Sequence, residues 1–271
     1  MNMSLKQVVT GKSYALLTLA RMCRFLVNWR EVWNCHRRNL PIPSLIFRRG
    51  FTVHHDPFSD PRELFYEIFA RKAYRQFVFP PAKGVMVDIG ANIGMVDLDF
   101  ISSSNQLTIH AYEPNPTTYR TLVRNIAENN FSQRVITFRE AVGRKKCNTK
   151  LWINVPSILS TTNSQNPCVG RESDFPDARR EDVPMIGLDD VVNRIESGEV
   201  ALLKIDAEGA EADILEGAQP STLNRVRQVV LEYHLSASLD MLERCTKVLK
   251  SAGFICVTRL PNMLYATRPG T

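Results

Sequence analysis

The chain has 271 residues, of which 44% are hydrophobic and 23% charged, with a net charge of +6. This length is enough to bury the core of a single α/β domain. No apolar run approaches the ~20 residues that a membrane-spanning helix needs. The six cysteines form no CxxC pair, which indicates free thiols. Arg21 and Arg24 interrupt the signal-peptide-like run 14–20, so we predict a cytoplasmic protein.

The positive charge is concentrated at the start of the chain. Residues 1–50 sum to +8 and the remainder to −2. Such a basic end suggests an anionic partner. We expect either a cap that packs on the domain or a peripheral contact of residues 1–38 with the inner membrane surface, with nucleic acid or protein partners as further alternatives. The apolar stripe behind this expectation is Leu16, Leu17, Ala20, Cys23, Leu26, Val27 and Trp33.

A connector follows this basic end. Residues 45–53 predict a hairpin around Arg49 and Gly50. Asp60 and Glu63 have capping-box spacing, which predicts a helix start. We therefore assign residues 1–79 to a helical and hairpin extension and residues 80–271 to one main domain. Three residues of this connector are placed where a segment before the sheet would reach over a ligand: Glu67, Tyr74 and Arg75.

The most informative stretch is Val85 to Gly94. An apolar run ends at Asp88, and a glycine loop with the pattern D-x-G-x-x-x-G follows at once through Gly90, Asn92 and Gly94. This predicts a buried parallel strand leading into a loop whose backbone approaches a ligand closely. A carboxylate at this position would repel a pyrophosphate but suits an ammonium group or a ribose. The loop therefore indicates a site for S-adenosylmethionine.

A second strand and a third follow the glycine loop. Residues 107–113 form a strand-like run that ends in Glu113, whose carboxylate is placed to accept the hydroxyls of a ribose. Pro114 and Pro116 stop this strand and open a helix over residues 117–129. Residues 134–138 predict a third strand. Strand, glycine loop, helix, strand, acid, helix and strand make the first half of a doubly wound sheet.

Five motifs occur in order: VDIGANIG, AYEPNP, EAVG, LLKIDAEGAEADILEGA and VVLEYH. Over residues 84–235 the chain resembles the FkbM-type methyltransferases, which methylate hydroxyl groups with S-adenosylmethionine. The resemblance implies an α/β, Rossmann-like, doubly wound and mostly parallel seven-stranded sheet. It also implies an acceptor among sugars of glycolipids and polysaccharides, or polyketide or peptide products. The cofactor-binding residues that we predict are Asp88, Gly90, Asn92, Gly94, Glu113, Asn115, Ala141 and Asp206.

The chemistry is expected at the ends of two later strands, where open α/β sheets bind their ligands. Alternation places Lys204 and Asp206 on one side of a buried strand, and Glu232 and His234 on one side of another. We predict these four as catalytic residues. A satisfied structural network, such as Lys204 paired with Glu232, is the alternative. Acids in the turn that follows Asp206 also suit a helix N-terminus.

Methyl transfer to an alcohol requires alignment, desolvation and removal of a proton. His234 is the preferred base because an ordinary imidazole has a pKa near the working pH, and Asp206 is the second choice. A divalent ion on Asp206, Glu232 and His234 would be a different route, although a metal is not expected.

Two further expectations concern the acceptor. The place after the fourth strand holds Asp206-Ala-Glu-Gly209 where base-nitrogen methyltransferases carry Asn or Asp followed by Pro-Pro-aromatic. Methylation of RNA or another nucleic acid through the basic N-terminus therefore remains the alternative function. Residues 157–181 lack periodicity, which predicts either a lid over the acceptor or a surface insertion.

Overall fold

The structure is a computed structural model that describes residues 11–56, 59, 61–78, 81–153, 179–196, 198–235, 238–259 and 262–270, without the side chains of 11–17 and 70. The helices are α1 (Gly11–Phe25), α2 (Trp29–Arg38), α3 (Pro61–Phe65), α4 (Met95–Ile101), α5 (Pro116–Glu128), α6 (Leu188–Asn193), α7 (Glu211–Gly217), α8 (Pro220–Asn224) and α9 (Met241–Ser251). A π-helical turn (Tyr66–Ala70) and a 3₁₀ turn (Ala73–Arg75) follow α3. The strands are β1 (Leu45–Ile46), β2 (Thr52–Val53), β3 (Lys83–Ile89), β4 (Gln106–Tyr112), β5 (Val135–Phe138), β6 (Ala141–Gly143), β7 (Cys147–Ile153), β8 (Arg179–Gly187), β9 (Val200–Ile205), β10 (Gln228–Glu232), β11 (Ile255–Arg259) and β12 (Met263–Thr267).

A seven-stranded sheet forms the centre of the molecule. Its order is β11-β12-β10-β9-β3-β4-β5, and all neighbours from β10 to β5 are parallel. Strand β12 is antiparallel to both of its neighbours. The strand order reverses at β3, so the carboxyl ends of β3, β4 and β9 border the crevice where such sheets bind ligands. The predicted doubly wound fold is confirmed.

The two faces of the sheet are covered by different elements. On one face α4, α5 and the N-terminal extension pack into a single core. On the other face α6 to α9 form a second core. The central strands are buried on both faces and carry apolar residues at nearly every position, as parallel sheets do.

The N-terminal extension is part of the first core. Hairpin β1–β2 turns through Gly50, as predicted. Phe47 stacks on Phe51 at 4.4 Å and contacts the rings of Phe65 and Phe69. Of the predicted apolar stripe, Leu26 is fully buried, as is Met22 beside it, whereas Val27 is exposed. The extension therefore packs as a cap, which was the first of our alternatives. Leu16 and Leu17 fall outside the described side chains.

A second sheet was not predicted. Strands β6, β8 and β7 form it in that order, with β6 parallel and β7 antiparallel to β8. Strand β8 begins at Arg179, so the expectation of an irregular stretch up to residue 181 is wrong at its end. The polar residues at positions 179–182 read as a loop in the sequence, yet they pair with β7 along their whole length. The rest of the 157–181 stretch lies outside the described residues.

Two further expectations concern membranes and thiols. Among the described residues, no helix is both long and apolar enough to cross a membrane. The five described cysteines are free, at positions 23, 35, 147, 245 and 256.

Candidate active site

The glycine loop after β3 has the close backbone approach that the sequence predicted. Gly90 has φ +77°, and a Cβ on it would lie 1.8 Å from the carbonyl oxygen of Asp206. Gly94 has φ +81°, and a Cβ there would lie 2.6 Å from Leu122. Both positions therefore require glycine. Gly90 brings the loop against the end of β9, whereas Gly94 allows α4 to begin against α5.

Glu113 holds the loop to the end of β4. Its Oε2 accepts a hydrogen bond from the backbone N–H of Asn92 at 3.0 Å, and its Oε1 accepts one from Asn115 N–H at 2.8 Å. The Asn115 side chain accepts from Thr117 N–H at 3.0 Å and so caps α5. Burial raises the pKa of Glu113 to about 7, although both backbone bonds oppose the shift.

Asp88 and Lys204 form a buried pair beneath the glycine loop. Lys204 Nζ lies 2.9 Å from Asp88 Oδ1 and donates to the carbonyl oxygen of Gly90 at 2.7 Å. Burial alone would lower the pKa of Lys204, but Asp88 and Asp206 outweigh it and raise the pKa, so the ammonium stays charged. Burial and the charge of Asp88 raise the pKa of the neighbouring Asp97 well above its ordinary value.

These contacts change two sequence-based assignments. The side chain of Asp88 is fully buried and directed at Lys204, so it positions the loop and does not line the cleft as predicted. Lys204 pairs with Asp88 and not with Glu232, which was the structural alternative. Its bond to Gly90 makes it a positioning residue for the loop. The catalytic role predicted for Lys204 is therefore not supported by its contacts.

A cleft opens at the carboxyl ends of β3, β4 and β9. Six of the predicted cofactor residues line it: Gly90, Asn92, Glu113, Asn115, Ala141 and Asp206. Tyr112, Glu140, Val142 and Leu151 add a wall at the far end. Leu151 comes from β7, so the unpredicted second sheet helps to shape the cleft.

A second pocket of about 330 Å³ lies on the other side of the glycine loop. It shares Gly90, Asn92 and Asp206 with the cleft, so the two spaces meet at these residues. Its outer wall is part of the N-terminal extension and includes Glu67 and Tyr74. The smaller pocket therefore adjoins the cleft at the glycine loop and at the end of β9.

Tyr74 connects the N-terminal extension to the ends of β9 and β10, where the predicted catalytic residues lie. Its hydroxyl lies 2.9 Å from Asp206 Oδ2 and 3.1 Å from Glu232 Oε2, and is placed to donate to either. Asn262 donates to the other oxygen of Glu232. Burial, followed by the charge of Asp206, raises the pKa of Glu232 to about 7. Glu67, whose pKa burial raises well above its ordinary value, hydrogen-bonds to Glu232.

His234 is surrounded by carboxylates. Its Nδ1 lies 2.8 Å from Glu211 Oε1, and its Nε2 lies 3.1 Å from Glu208 Oε2 and 3.9 Å from Asp206 Oδ1. Glu211 is fully buried and also accepts the backbone N–H groups of Ala207 and Gly209. The ring is thereby fixed with Nε2 facing the side chains that line the cleft, Asp206 and Glu208.

The protonation state of His234 differs from the expectation. Burial alone would lower the pKa of His234, but the hydrogen bond and charge of Glu211, together with Glu208 and Asp206, raise it to about 11. The sequence-based reason for a base, an imidazole pKa near the working pH, is therefore wrong for the protein without its ligands. Positive charge placed beside Asp206 and Glu208 would offset the carboxylates and lower this pKa again.

The same residues include a possible set of metal ligands. One ligand atom from each of Asp206, Glu208 and His234 lies within 4.8 Å of the other two. A histidine whose other ring nitrogen bonds to a carboxylate, as His234 does to Glu211, is a common arrangement in metal sites. Glu232 is held by Tyr74 and Asn262 instead, so the predicted ligand set of Asp206, Glu232 and His234 is replaced by one with Glu208.

The crevice, the acidic residue beside the glycine loop and the order of the strands are typical of Rossmann-like methyltransferases. A family model described as the methyltransferase FkbM domain matches residues 88–256, which is more than half of the chain. The chain belongs to the FkbM methyltransferase family.

Two relatives and one solved structure are similar to this chain. It is 27% identical over 221 residues to the 31-O-demethyl-FK506 methyltransferase FkbM of Streptomyces tacrolimicus, covering 71% of this chain and 82% of that protein. It is 30% identical over 207 residues to methyltransferase 1 of Beauveria bassiana, covering 72% and 82%. The methyltransferase FkbM structure from Methylobacillus flagellatus superposes with a TM-score of 0.49 at 16% identity, covering 94% of this chain and 59% of that one.

The residues present fit the cofactor that the family implies. Gly90 lines the cleft and packs so closely on the end of β9 that a Cβ would displace the loop, and the Glu113 carboxylate lines the cleft with both of its oxygens already fixed by backbone bonds. Sequence reasoning missed Asn262, which supports Glu232, and Ser59, which donates to Asn92 at 3.2 Å. Neither has a motif to mark it. Arg75, named beside Tyr74, instead binds Asp99 at 2.5 Å, away from the site.

Proposed function

We propose that the chain transfers a methyl group from S-adenosylmethionine to a hydroxyl group of a sugar, a glycolipid, a polysaccharide or another secondary metabolite. The observation that carries this proposal is the position of His234 beside Asp206 and Glu208, two residues that line the cleft, of which Asp206 also lines the smaller pocket. The name of one relative, a 31-O-demethyl-FK506 methyltransferase, supports oxygen as the atom methylated.

The cleft supplies the cofactor half of the reaction. When bound, S-adenosylmethionine provides a methyl group activated by a sulfonium. Glu113 would accept the ribose hydroxyls, and the backbone at Gly90 would lie against the methionine portion. Lys204 would keep this backbone in place through its bond to the Gly90 carbonyl oxygen. These residues orient the methyl donor, and such orientation is a large part of the rate that enzymes achieve in bimolecular reactions.

His234 and Asp206 supply the acceptor half. Glu211 fixes the ring of His234 so that Nε2 is directed at the side of the cleft where Asp206 and Glu208 lie. A cationic donor close to Asp206 weakens the hold of the carboxylates on the imidazole proton, and neutral His234 can then accept the proton of the acceptor hydroxyl as the methyl group is transferred. Asp206, fixed by Tyr74, would orient that hydroxyl.

The smaller pocket is called the acceptor pocket below. The charge of the side chains around it supports a neutral acceptor. Burial and the charges of neighbouring carboxylates, Asp206 among them, raise the pKa values of Glu67, Glu208 and Glu232. Such an environment repels the phosphates of a nucleic acid, whereas carboxylates bind the hydroxyls of sugars and related metabolites well. This favours hydroxylated metabolites over the alternative of RNA methylation.

The test is a transfer assay with a labelled methyl group. The protein is incubated with the labelled cofactor and with separate fractions of glycolipid, polysaccharide, small metabolites and RNA. We expect label in a hydroxylated fraction, in a form that resists alkali because methyl ethers do and methyl esters do not. Label found in RNA, or in alkali-labile material, would overturn the proposal.

A further inference from the structure

The N-terminal extension has an exposed apolar pair at a place where the backbone is well fixed. Residues 25–27, at the end of α1, run antiparallel to residues 46–48, with Leu26 opposite Phe47 and Val27 N–H donating to Ile46 O at 2.7 Å. Leu26 and Phe47 are buried at 0% and 1% exposure, whereas their neighbours Val27 and Ile46 are 55% and 41% exposed. Alternation thus places two branched apolar side chains next to each other on the outer surface.

This pair is held rigidly. The side chain of Asn28 donates to Ser44 O at 2.9 Å and accepts from Ile46 N–H at 3.0 Å. Arg48 donates from its backbone to Phe25 O at 2.8 Å and from Nε to Cys23 O at 3.1 Å. Single exposed apolar residues are common on protein surfaces. Val27 and Ile46 are instead adjacent, and hydrogen bonds fix the backbone of both. They form a ridge that needs no ordering before it inserts into an apolar environment.

Three exposed arginines belong to the same short segments. Arg24 precedes the ridge in α1, Arg30 follows it in α2, and Arg48 lies two residues after Ile46. Among the described residues, none of these three guanidinium groups forms an ion pair, whereas Arg49 of the same hairpin pairs with Asp99. Arg30 covers the ring of Trp29 at 4.8 Å. The segments therefore combine apolar side chains with positive charge that no carboxylate in the described part of the chain pairs with.

We propose that this ridge, formed by Val27 and Ile46 with Arg24, Arg30 and Arg48 around it, docks on an anionic phospholipid surface. Arginines bind the headgroups, and the two apolar side chains enter the boundary with the acyl chains. A nucleic acid would use the arginines but would gain nothing from the ridge. The aromatic rings of Phe47, Phe65 and Phe69 connect the hairpin to the segment that walls the acceptor pocket, so the docked surface and that pocket belong to one packed unit.

The test uses the full chain and sedimentation with vesicles of phosphatidylcholine, alone or mixed with phosphatidylglycerol. We expect binding only to the mixed vesicles, weakening as salt is added. R24Q/R30Q/R48Q should bind about a hundredfold more weakly, because each basic residue near such a surface contributes about a factor of five. V27S/I46S should bind roughly tenfold more weakly, and this loss should persist at higher salt.

Two matched variants serve as controls. R120Q/R139Q/R259Q removes the same charge from exposed arginines elsewhere, and I255S removes an apolar side chain that is 58% exposed on the edge strand β11. Both should bind like the unchanged protein. The proposal is overturned if the controls weaken binding as much as the ridge variants, or if the protein ignores mixed vesicles at low salt. It is also overturned if V27S/I46S abolishes self-association without any vesicle binding, which would assign the ridge to a second copy of the chain.

Discussion

Tyr74 and Asp206 are 132 residues apart in sequence, and the hydroxyl of the first lies 2.9 Å from a carboxylate oxygen of the second. The same hydroxyl lies 3.1 Å from Glu232. One buried phenol in the N-terminal extension thereby fixes the side chains at the ends of two neighbouring strands, β9 and β10. The extension is a structural part of the site.

Replacement of Tyr74 with Phe should weaken both the fold and the reaction. The change removes the donor that the half-buried carboxylates of Asp206 and Glu232 share, which costs about 1–3 kcal/mol. We expect this loss in urea unfolding, together with a lower kcat and nearly unchanged cofactor affinity. Tyr119→Phe removes a hydroxyl that bonds Thr137 on the far side of α5 and should leave kcat intact. Equal kcat values for both variants would exclude a role of Tyr74 in orienting Asp206.

Cofactor affinity should depend on pH through Glu113. Its pKa is raised to about 7, so below that pH the carboxyl keeps its proton and loses one of its acceptor positions. Affinity for S-adenosylmethionine should therefore rise with pH and level off above the pKa, by at most about tenfold per unit. Glu113→Gln should abolish this dependence, and Glu113→Ala should remove most of the binding. Calorimetry across this range measures each quantity, and a flat profile for the unchanged protein would contradict the assignment.

Replacement of His234 with Gln should reduce turnover by roughly two to four powers of ten, which is the usual contribution of a general base. Cofactor affinity should change little. The control is His54→Gln. His54 lies in the extension and pairs with Glu128 of α5, so this variant should stay active. If a chelator abolishes the activity of the unchanged protein and a divalent ion restores it, Asp206, Glu208 and His234 act through a metal instead.

The pH profile gives a separate test of the carboxylates around His234. The pKa of this histidine is about 11 in the protein without ligands, and the base must be unprotonated to act. We therefore expect kcat/KM for S-adenosylmethionine, which reports the enzyme without its cofactor, to keep rising with pH through the alkaline range. Glu211→Gln removes a negative charge from Nδ1 and should shift the rise to lower pH. An unchanged profile in this variant would show that Glu211 does not control the proton.

Replacement of Lys204 with Met should destabilise the fold by about 3–5 kcal/mol, because it leaves the charge of Asp88 buried without a partner. The double variant with Asp88→Asn removes that charge as well and should recover a large part of the loss. Denaturant unfolding of four proteins, the unchanged one, Lys204→Met, Asp88→Asn and the double variant, measures the coupling between the two residues. Additive losses would mean that the pair does not act as a unit.

Replacement of Gly90 with Ala should abolish cofactor binding, since the added carbon would lie 1.8 Å from Asp206 O and force the loop away from β9. Gly50→Ala is the matched control. Gly50 also has a positive φ, of +86°, but has open space around it, so this change adds only backbone strain of about 1–2 kcal/mol. Thermal shifts with S-adenosylhomocysteine compare the two variants. A normal shift for Gly90→Ala would contradict the predicted role of Gly90 in the cofactor site.

The cofactor half of the site was predictable because its determinants are local. The run before Asp88, the glycines after it and the acid at Glu113 lie within about one strand-helix-strand unit, and each has a physical reason to be where it is. Strands β3, β4, β5, β9 and β10, helix α5 and hairpin β1–β2 were placed to within a few residues. Strands β6 to β8 were missed as a sheet because the polar start of β8 resembles a loop.

The acceptor half was less predictable, because its geometry depends on contacts between distant segments. Alternation gave the face of β9 on which Lys204 lies but could not identify Asp88 as its partner. The pKa of His234 is determined by Glu208 and Glu211, which a different element brings against it. Asn262 follows an edge strand and carries no motif, so only the fold shows that it reaches Glu232.

The wall formed by Leu64, Glu67, Ile68 and Tyr74 has a consequence for how such proteins diversify. These residues precede β3 in the chain, whereas the glycine loop and Glu113 follow it. Methyl-donor retention and acceptor choice are therefore encoded in separate stretches of sequence. An exchange of residues 61–75 between relatives should transfer acceptor preference as a unit, provided that the incoming segment retains a hydrogen-bond donor for Asp206.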